Sequence, residues 1–318
     1  MQHPTQHNPH PLVSLQSPAA VVMVRPHHFT PNPQTAADNA FQRSASNCTA
    51  NALAQAAYQE VTDAATALQA EGVRVHLFED TDAGRTPDSV FPNNWFSTHA
   101  GGHVALYPMY SANRRLERRQ DVIELLKTEY RVQDVIDYSG LERDGLFLEG
   151  TGAMVLDHIA RIAYTARSNR ANAIALERFA THFNYEPMAF DALDASGQAV
   201  YHTNVLMCVA SDYALIGLDL ITDGKRREEV RQRLEESGRA VIALSAAQVG
   251  EFAGNALELV GRTGRLLALS ARALASLRPA QIETIEQSAK LLPLSVPTIE
   301  LAGGSVRCML AGVHLARR

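Results

Sequence analysis

FLEGTGAMVLDHIARIAYTA, residues 147–166, runs on through NRANAIALERFATHF (169–183) to YEPMAFDAL (185–193). Two short apolar runs meeting at a turn read as a hairpin, the next stretch as a helix and the last as a returning strand. The same order stands upstream. VFPNNWFSTH (90–99) and GGHVALYPM (101–109) form a hairpin around Gly101–Gly102, RRLERRQDVIELLKTEY (114–130) a helix and RVQDVIDY (131–138) a strand. Downstream, VYHTNVLMCVA with DYALIGL (200–218), KRREEVRQRLEES (225–237) and RAVIAL (239–244) repeat it. NALELVG with RLLALS (255–270), ARALASLRPAQIETIEQSAKLL (271–292) and LSVPTIEL (294–301) repeat it once more.

A strand–strand–helix–strand unit recurring at this length predicts a propeller or solenoid. The strand AVVMVRP from Ala20, the helix from Asn47 to Gln69, the strand VRVHLF (73–78) and the last strand of the chain complete a fifth unit. Aligning the leading strands places Asn94, Glu149, His202 and Asn255 in phase, 53 to 55 residues apart. Five units around one axis would bring such residues to one pocket. Near the end, LAGGSVRCMLAGVHL (301–315) reads as a buried strand entered through Gly303–Gly304, with Cys308 at its mouth and Arg307 beside it. A cation next to sulfur favours the thiolate, the reactive form. Cys308, His202 and Glu149 are thus the parts of a thiol nucleophile, a general acid/base and an orienting carboxylate. Taken singly, each also fits a buried thiol, a strand histidine or a solvated carboxylate; the shared phase favours chemistry.

The remaining features narrow the class. The chain has 318 residues, 46% hydrophobic and 20% charged, with net charge −5 and no long basic run, which argues against nucleic acid and anionic membranes. Three cysteines, Cys48, Cys208 and Cys308, are too few for a disulfide framework and point to free thiols in the cytoplasm. No apolar run is long enough for a membrane span, and the N-terminus does not read as a secretory signal. Residues 1–18, with four prolines, are expected to be a disordered leader, and 19–318 a single catalytic domain. Pro26–Gln42 is a long loop of the kind that lines or covers a site. EGTG (149–152) lacks the third glycine and following helix of a dinucleotide loop. No spaced metal-ligand set is present, so neither metal nor cofactor is expected.

LEGTG (148–152), SNR (168–170), YHTNV (201–205) and GGSVRCM (303–309) resemble the guanidine-modifying enzymes of the pentein superfamily. VFPNNWFS, YTARSNRAN and FAGNALEL look most similar to the citrulline-utilisation, arginine-deiminase-related, amidinotransferase-like hydrolases. The resemblance covers residues 20–315 and implies a five-bladed pseudo-symmetric α/β propeller of ββαβ units, the pentein fold. It implies Cys308 as nucleophile, His202 as general acid/base, Glu149 as the orienting carboxylate and Arg170 as a clamp for an α-carboxylate. Asn94, Asp88, Asn93, Asn204 and Asn255 are the further candidate substrate-binding residues. Relatives acting on arginine usually carry Asp where Asn94 and Gly152 stand. A neutral ureido group suits an amide better than a carboxylate, so hydrolysis of citrulline to ornithine, ammonia and carbon dioxide is the expectation. The alternatives are an arginine or methylarginine deiminase, and a propeller that binds an amino acid without turning it over. The expected partner is this small molecule; a homodimer is implied by the resemblance alone.

Overall fold

The computed structural model describes residues 16–43, 49–80, 85–194 and 196–318. Residues 1–15 of the leader, Cys48 and Asp82 lie outside them, whereas Gln16 and Ser17 are buried. The first blade begins with β1 (Ala20–Pro26), parallel to β2 (Arg74–Asp80) through the crossover helix α1 (Ala50–Ala70). Leu53, Ala57, Val61, Ala64 and Leu68 recur at helical spacing and form the buried stripe of α1, which Thr49 caps.

The next blade is β3 (Phe96–His99), β4 (His103–Leu106), α2 (Gln120–Glu129) and β5 (Asp134–Asp137). A one-turn helix, α3 (Gly150–Ala153), opens the third, followed by β6 (Met154–Asp157), β7 (Ile162–Ala166), α4 (Ala173–Phe183) and β8 (Glu186–Phe190). The fourth has α5 (Thr203–Leu206), β9 (Met207–Val209), β10 (Tyr213–Ile216), α6 (Gly224–Glu236) and β11 (Ala240–Ala243). In the fifth, α7 (Ala246–Gly250) precedes β12 (Leu257–Gly261) and β13 (Gly264–Ser270), and α8 (Ala271–Ser276) and α9 (Pro279–Glu286) lead to β14 (Lys290–Leu294). Finally α10 (Val306–Met309) turns into β15 (Ala311–Gly312), which pairs with β1 at Val21–Gly312 and Val22–Ala311.

Every sheet therefore has three strands with the same pairing, first strand antiparallel to the second and second parallel to the third. This is the expected five-bladed α/β propeller. Between blades the apolar faces merge: Val155, Tyr164, Leu206, Leu215 and Leu267 belong to one buried cluster spanning three of them. Among the described residues no helix is long and apolar enough to cross a membrane.

Three local expectations change. Residues 114–119 are not the start of a helix; Ala112–Glu117 form a 3-10 turn and α2 begins at Gln120. The helix expected over 271–292 is two, because Pro279 has no N–H to donate and starts α9 afresh. The fifth returning strand is Lys290–Leu294, with Ile299–Ala302 a 3-10 turn rather than strand. The runs after Glu149, His202 and Gly304 also open with helical turns before becoming strand, and Cys308 sits on such a turn. Short apolar runs carry no periodicity that separates a helical turn from a strand.

Candidate active site

Each turn that precedes a first strand sends a polar side chain inward. Cys308, on α10, is 2% exposed, and its sulfur accepts from Asn204 Nδ2 and Asn255 Nδ2, both at 3.3 Å. Asn255 is fixed by two further bonds, from Nδ2 to the Asn204 carbonyl (2.9 Å) and from the Arg307 amide to Oδ1 (3.0 Å). Two amide donors thus fix the position of one sulfur. Gly304 lets this turn pass Phe91: a Cβ there would lie 2.8 Å from the ring.

His202 precedes α5 and Glu149 precedes α3; both are buried, and His202 Nε2 meets Glu149 Oε2 at 2.8 Å. Glu149 Oε1 accepts from the Tyr110 amide at 3.0 Å. Burial pushes the Glu149 carboxyl up, but Arg170, the His202 bond and Arg114 outweigh it and hold the group well below the carboxylate range. Burial brings His202 down to about 4 against the opposing pull of Glu149. Near neutral pH the pair is therefore a carboxylate accepting from Nε2–H of a neutral imidazole, with Nδ1 left as the base. Only glycine fits at 152, since a Cβ would overlap the Asn94 carboxamide and lie 2.8 Å from His202 Nδ1.

Asn94, His202 and Cys308 line a small cavity together with Asp88, Arg114 and Arg170. Arg170 Nη1 stands 3.6 Å from Glu149, its Nε and Nη2 bond Asp38 at 3.2 and 2.5 Å, and its guanidinium lies over the Tyr201 ring. Arg114 pairs with Glu117 at 2.9 and 3.0 Å and stands 3.5 Å from Glu149 and 3.6 Å from Asp88. With its amide oriented to satisfy both neighbours, Asn94 accepts from Arg114 Nη1 and Nη2 at 3.0 and 3.1 Å and donates to Asn93 Oδ1 at 3.1 Å. Asp88 accepts from Asn32 at 2.8 Å through Oδ2, while its buried Oδ1 has no hydrogen-bond partner among the described residues. Burial raises the Asp88 carboxyl despite Arg114.

The other expected residues stand behind these. Asn93 braces the Pro92–Asn94 turn against Thr151 (3.3 Å), and Asn204 and Asn255 hold the sulfur from outside the cavity. The 26–42 loop closes over the site: Thr35 and Asn39 line the cavity, Asn32 holds Asp88 and Asp38 holds Arg170. Arg114 and Asp38 were missed from sequence. Arg114 lies in a charged run read as helix, and its only signal was the absence of apolar periodicity before Val122.

Residues 25–315 match the family model described as N,N dimethylarginine dimethylhydrolase, eukaryotic. No curated protein matches the chain. Among solved structures, the substrate-bound N-terminal domain of ArgZ, an arginine dihydrolase from the ornithine-ammonia cycle in Cyanobacteria, is 17% identical with a TM-score of 0.69, covering 92% of this chain and 97% of that one. AgrE in ternary complex with ornithine and NAD+ is 18% identical with a TM-score of 0.69, covering 94% of this chain and 40% of that one. DDAH from Pseudomonas aeruginosa, complexed with citrulline, is 13% identical with a TM-score of 0.62, covering 95% and 100%.

Proposed function

The chain belongs to the N,N-dimethylarginine dimethylhydrolase family of the pentein superfamily, hydrolases of carbon–nitrogen bonds in guanidino amino acids, and from that premise we propose that its own substrate is the ureido amino acid citrulline. The observation that carries this reading is the reacting end of the cavity. Beside Cys308 and His202 stands the amide of Asn94, itself held by the cation Arg114. Glu149 is already engaged by His202, Arg114 and Arg170, and Asp88, the other carboxylate of the cavity, already faces Arg114, so a guanidinium would be a second cation for carboxylates that Arg114 occupies. Burying a cation beside Arg114 without a counter-charge would cost several kcal/mol. A neutral ureido group pays no such penalty, and an amide can both donate to it and accept from it.

In the same cavity, Arg170 binds the α-carboxylate in exchange for Asp38, and Asp88 Oδ1 receives the α-ammonium. Cys308 attacks the ureido carbon as its thiol proton passes to His202 Nδ1. The tetrahedral intermediate collapses when that proton is delivered to the side-chain nitrogen, releasing ornithine and leaving a carbamoyl thioester on sulfur. His202 then takes a proton from water, whose oxygen displaces the thiolate; the carbamate formed breaks down to ammonia and carbon dioxide. Citrulline and one water thus give ornithine, ammonia and carbon dioxide.

Incubating the purified protein with citrulline should yield ornithine, and Cys308→Ser should abolish it. Citrulline accumulating from arginine or methylarginine, without ornithine, would instead identify a deiminase. Thermal stabilisation by citrulline that survives Cys308→Ser, with no product in either protein, would identify a binding propeller.

A further inference from the structure

A second cavity lies along the same axis and shares no lining residue with the first. The first strand of every blade contributes to it, through β3, β6, β9, β12 and β15, with residues that follow Asn94, Glu149, His202, Asn255 and Cys308 in sequence. Among the described residues, Arg307 is the one arginine or lysine on this wall, and no aspartate or glutamate lines it.

The other polar groups are largely spent on the protein. Gln16 bonds the carbonyls of Leu156 (3.0 Å) and Val209 (2.8 Å) and accepts from the His158 amide (2.9 Å). Ser97 bonds His99 (2.7 Å) and Tyr107 (2.6 Å), and Thr98 donates to the Gly312 carbonyl (2.9 Å). Burial keeps His158 well below the usual imidazole range and pushes the Cys208 thiol up to about 12, so neither adds charge near neutral pH. Arg307 bonds only the Leu310 carbonyl, through Nη1 at 2.9 Å; its Nε and Nη2 have no partner among the described residues. Burial lowers its pKa from the ordinary value, with no carboxylate to oppose it. A guanidinium presents its donors in a fixed fork that matches an oxyanion.

We propose that this axial cavity is a binding site for a small oxyanion, of the size of bicarbonate or inorganic phosphate, held by Arg307. The site is coupled to the nucleophile through the chain itself. Arg307 precedes Cys308, and its amide bonds the same Asn255 that donates to the sulfur. An anion that draws on Arg307 therefore acts through this amide and Asn255 on the sulfur, and an occupied site slows the nucleophile. The inference is independent of which amino acid is the substrate.

The test adds sodium bicarbonate or sodium phosphate to the whole protein, against sodium chloride at equal ionic strength. Melting temperature and the rate of Cys308 alkylation by iodoacetamide are followed, the latter by peptide mass spectrometry. At least one oxyanion should raise the melting temperature saturably and slow alkylation about threefold or more, while chloride does neither. A response to bicarbonate alone would mark a carbonate-type anion as the ligand; a response to phosphate would mark a phosphate-type one. Arg307→Met should lose both effects and Arg307→Lys keep part of them. An unsaturable response, one equal to chloride, or an undiminished response in Arg307→Met would overturn the proposal. If Arg307→Met does not fold, the wild-type response and its size in Arg307→Lys decide.

Discussion

Asn94 stands where the reacting group would meet the protein, and Arg114 already donates twice to its oxygen. Asn94→Asp places a carboxylate between that arginine and the substrate. Turnover of citrulline should fall by about 10²-fold or more, as when a buried polar partner is mismatched, whereas a guanidinium should tolerate the change or gain from it. The new charge pairs with Arg114, so the melting temperature should hold. Asn94→Ala should lose citrulline turnover without the gain. Measuring kcat/KM for citrulline and arginine on both variants checks this; equal proportional losses on the two substrates would sink it. Asn94, Glu149, His202 and Asn255 were legible in the sequence because the repeat places each at the same phase, and Cys308 because Gly303–Gly304 and Arg307 mark the last strand's mouth. Arg114 and Asp38 were not, because they lie off that phase, on a 3-10 turn and on a loop that no periodic pattern describes.

At the scale of elements, the strands and long helices followed from hydrophobic spacing, but the short turns that aim the site did not. A four-residue helical turn such as α3 or α5 is one apolar-looking word within a longer apolar run, so only its contacts reveal it. The loop over residues 26–42 was expected near a site from its length alone; what it does there depends on Asp38. That carboxylate grips Arg170 through two hydrogen bonds, in the position assigned to the substrate's α-carboxylate. Asp38→Asn removes the competitor while Glu149 still faces Arg170. The KM for citrulline should fall about threefold to tenfold with kcat little changed, the pattern of a change in binding alone. A rise in KM would show instead that Asp38 holds Arg170 in place.

For the whole molecule, burial of histidines ties stability to pH. His99 and His202 are each 1% exposed; burial holds His99 well below its ordinary value and His202 down at about 4. Below pH 6.5 the unfolded chain takes up protons that these folded imidazoles refuse, so the stability they confer is present above that pH and is lost as it falls. Each group removes stability with a slope that approaches about 1.4 kcal/mol per pH unit as pH falls below 6.5. The melting temperature should drop by several degrees between about pH 6.5 and 5. A flat profile in scanning calorimetry from pH 7 to 5 would mean that these histidines are charged in the folded state. The five-fold repeat was readable from one blade outward, while the pairing of β15 with β1 rested on counting the end strands as one unit. That pairing puts Cys308, the proposed nucleophile, on the segment that shuts the ring, three residues ahead of Ala311 in β15. During synthesis Glu149 and His202 leave the ribosome well before Cys308, which arrives with the strand that completes the first blade. A nascent chain consequently holds Glu149 and His202 without Cys308 while its blades are still exposed, and the three residues meet only at the moment of closure.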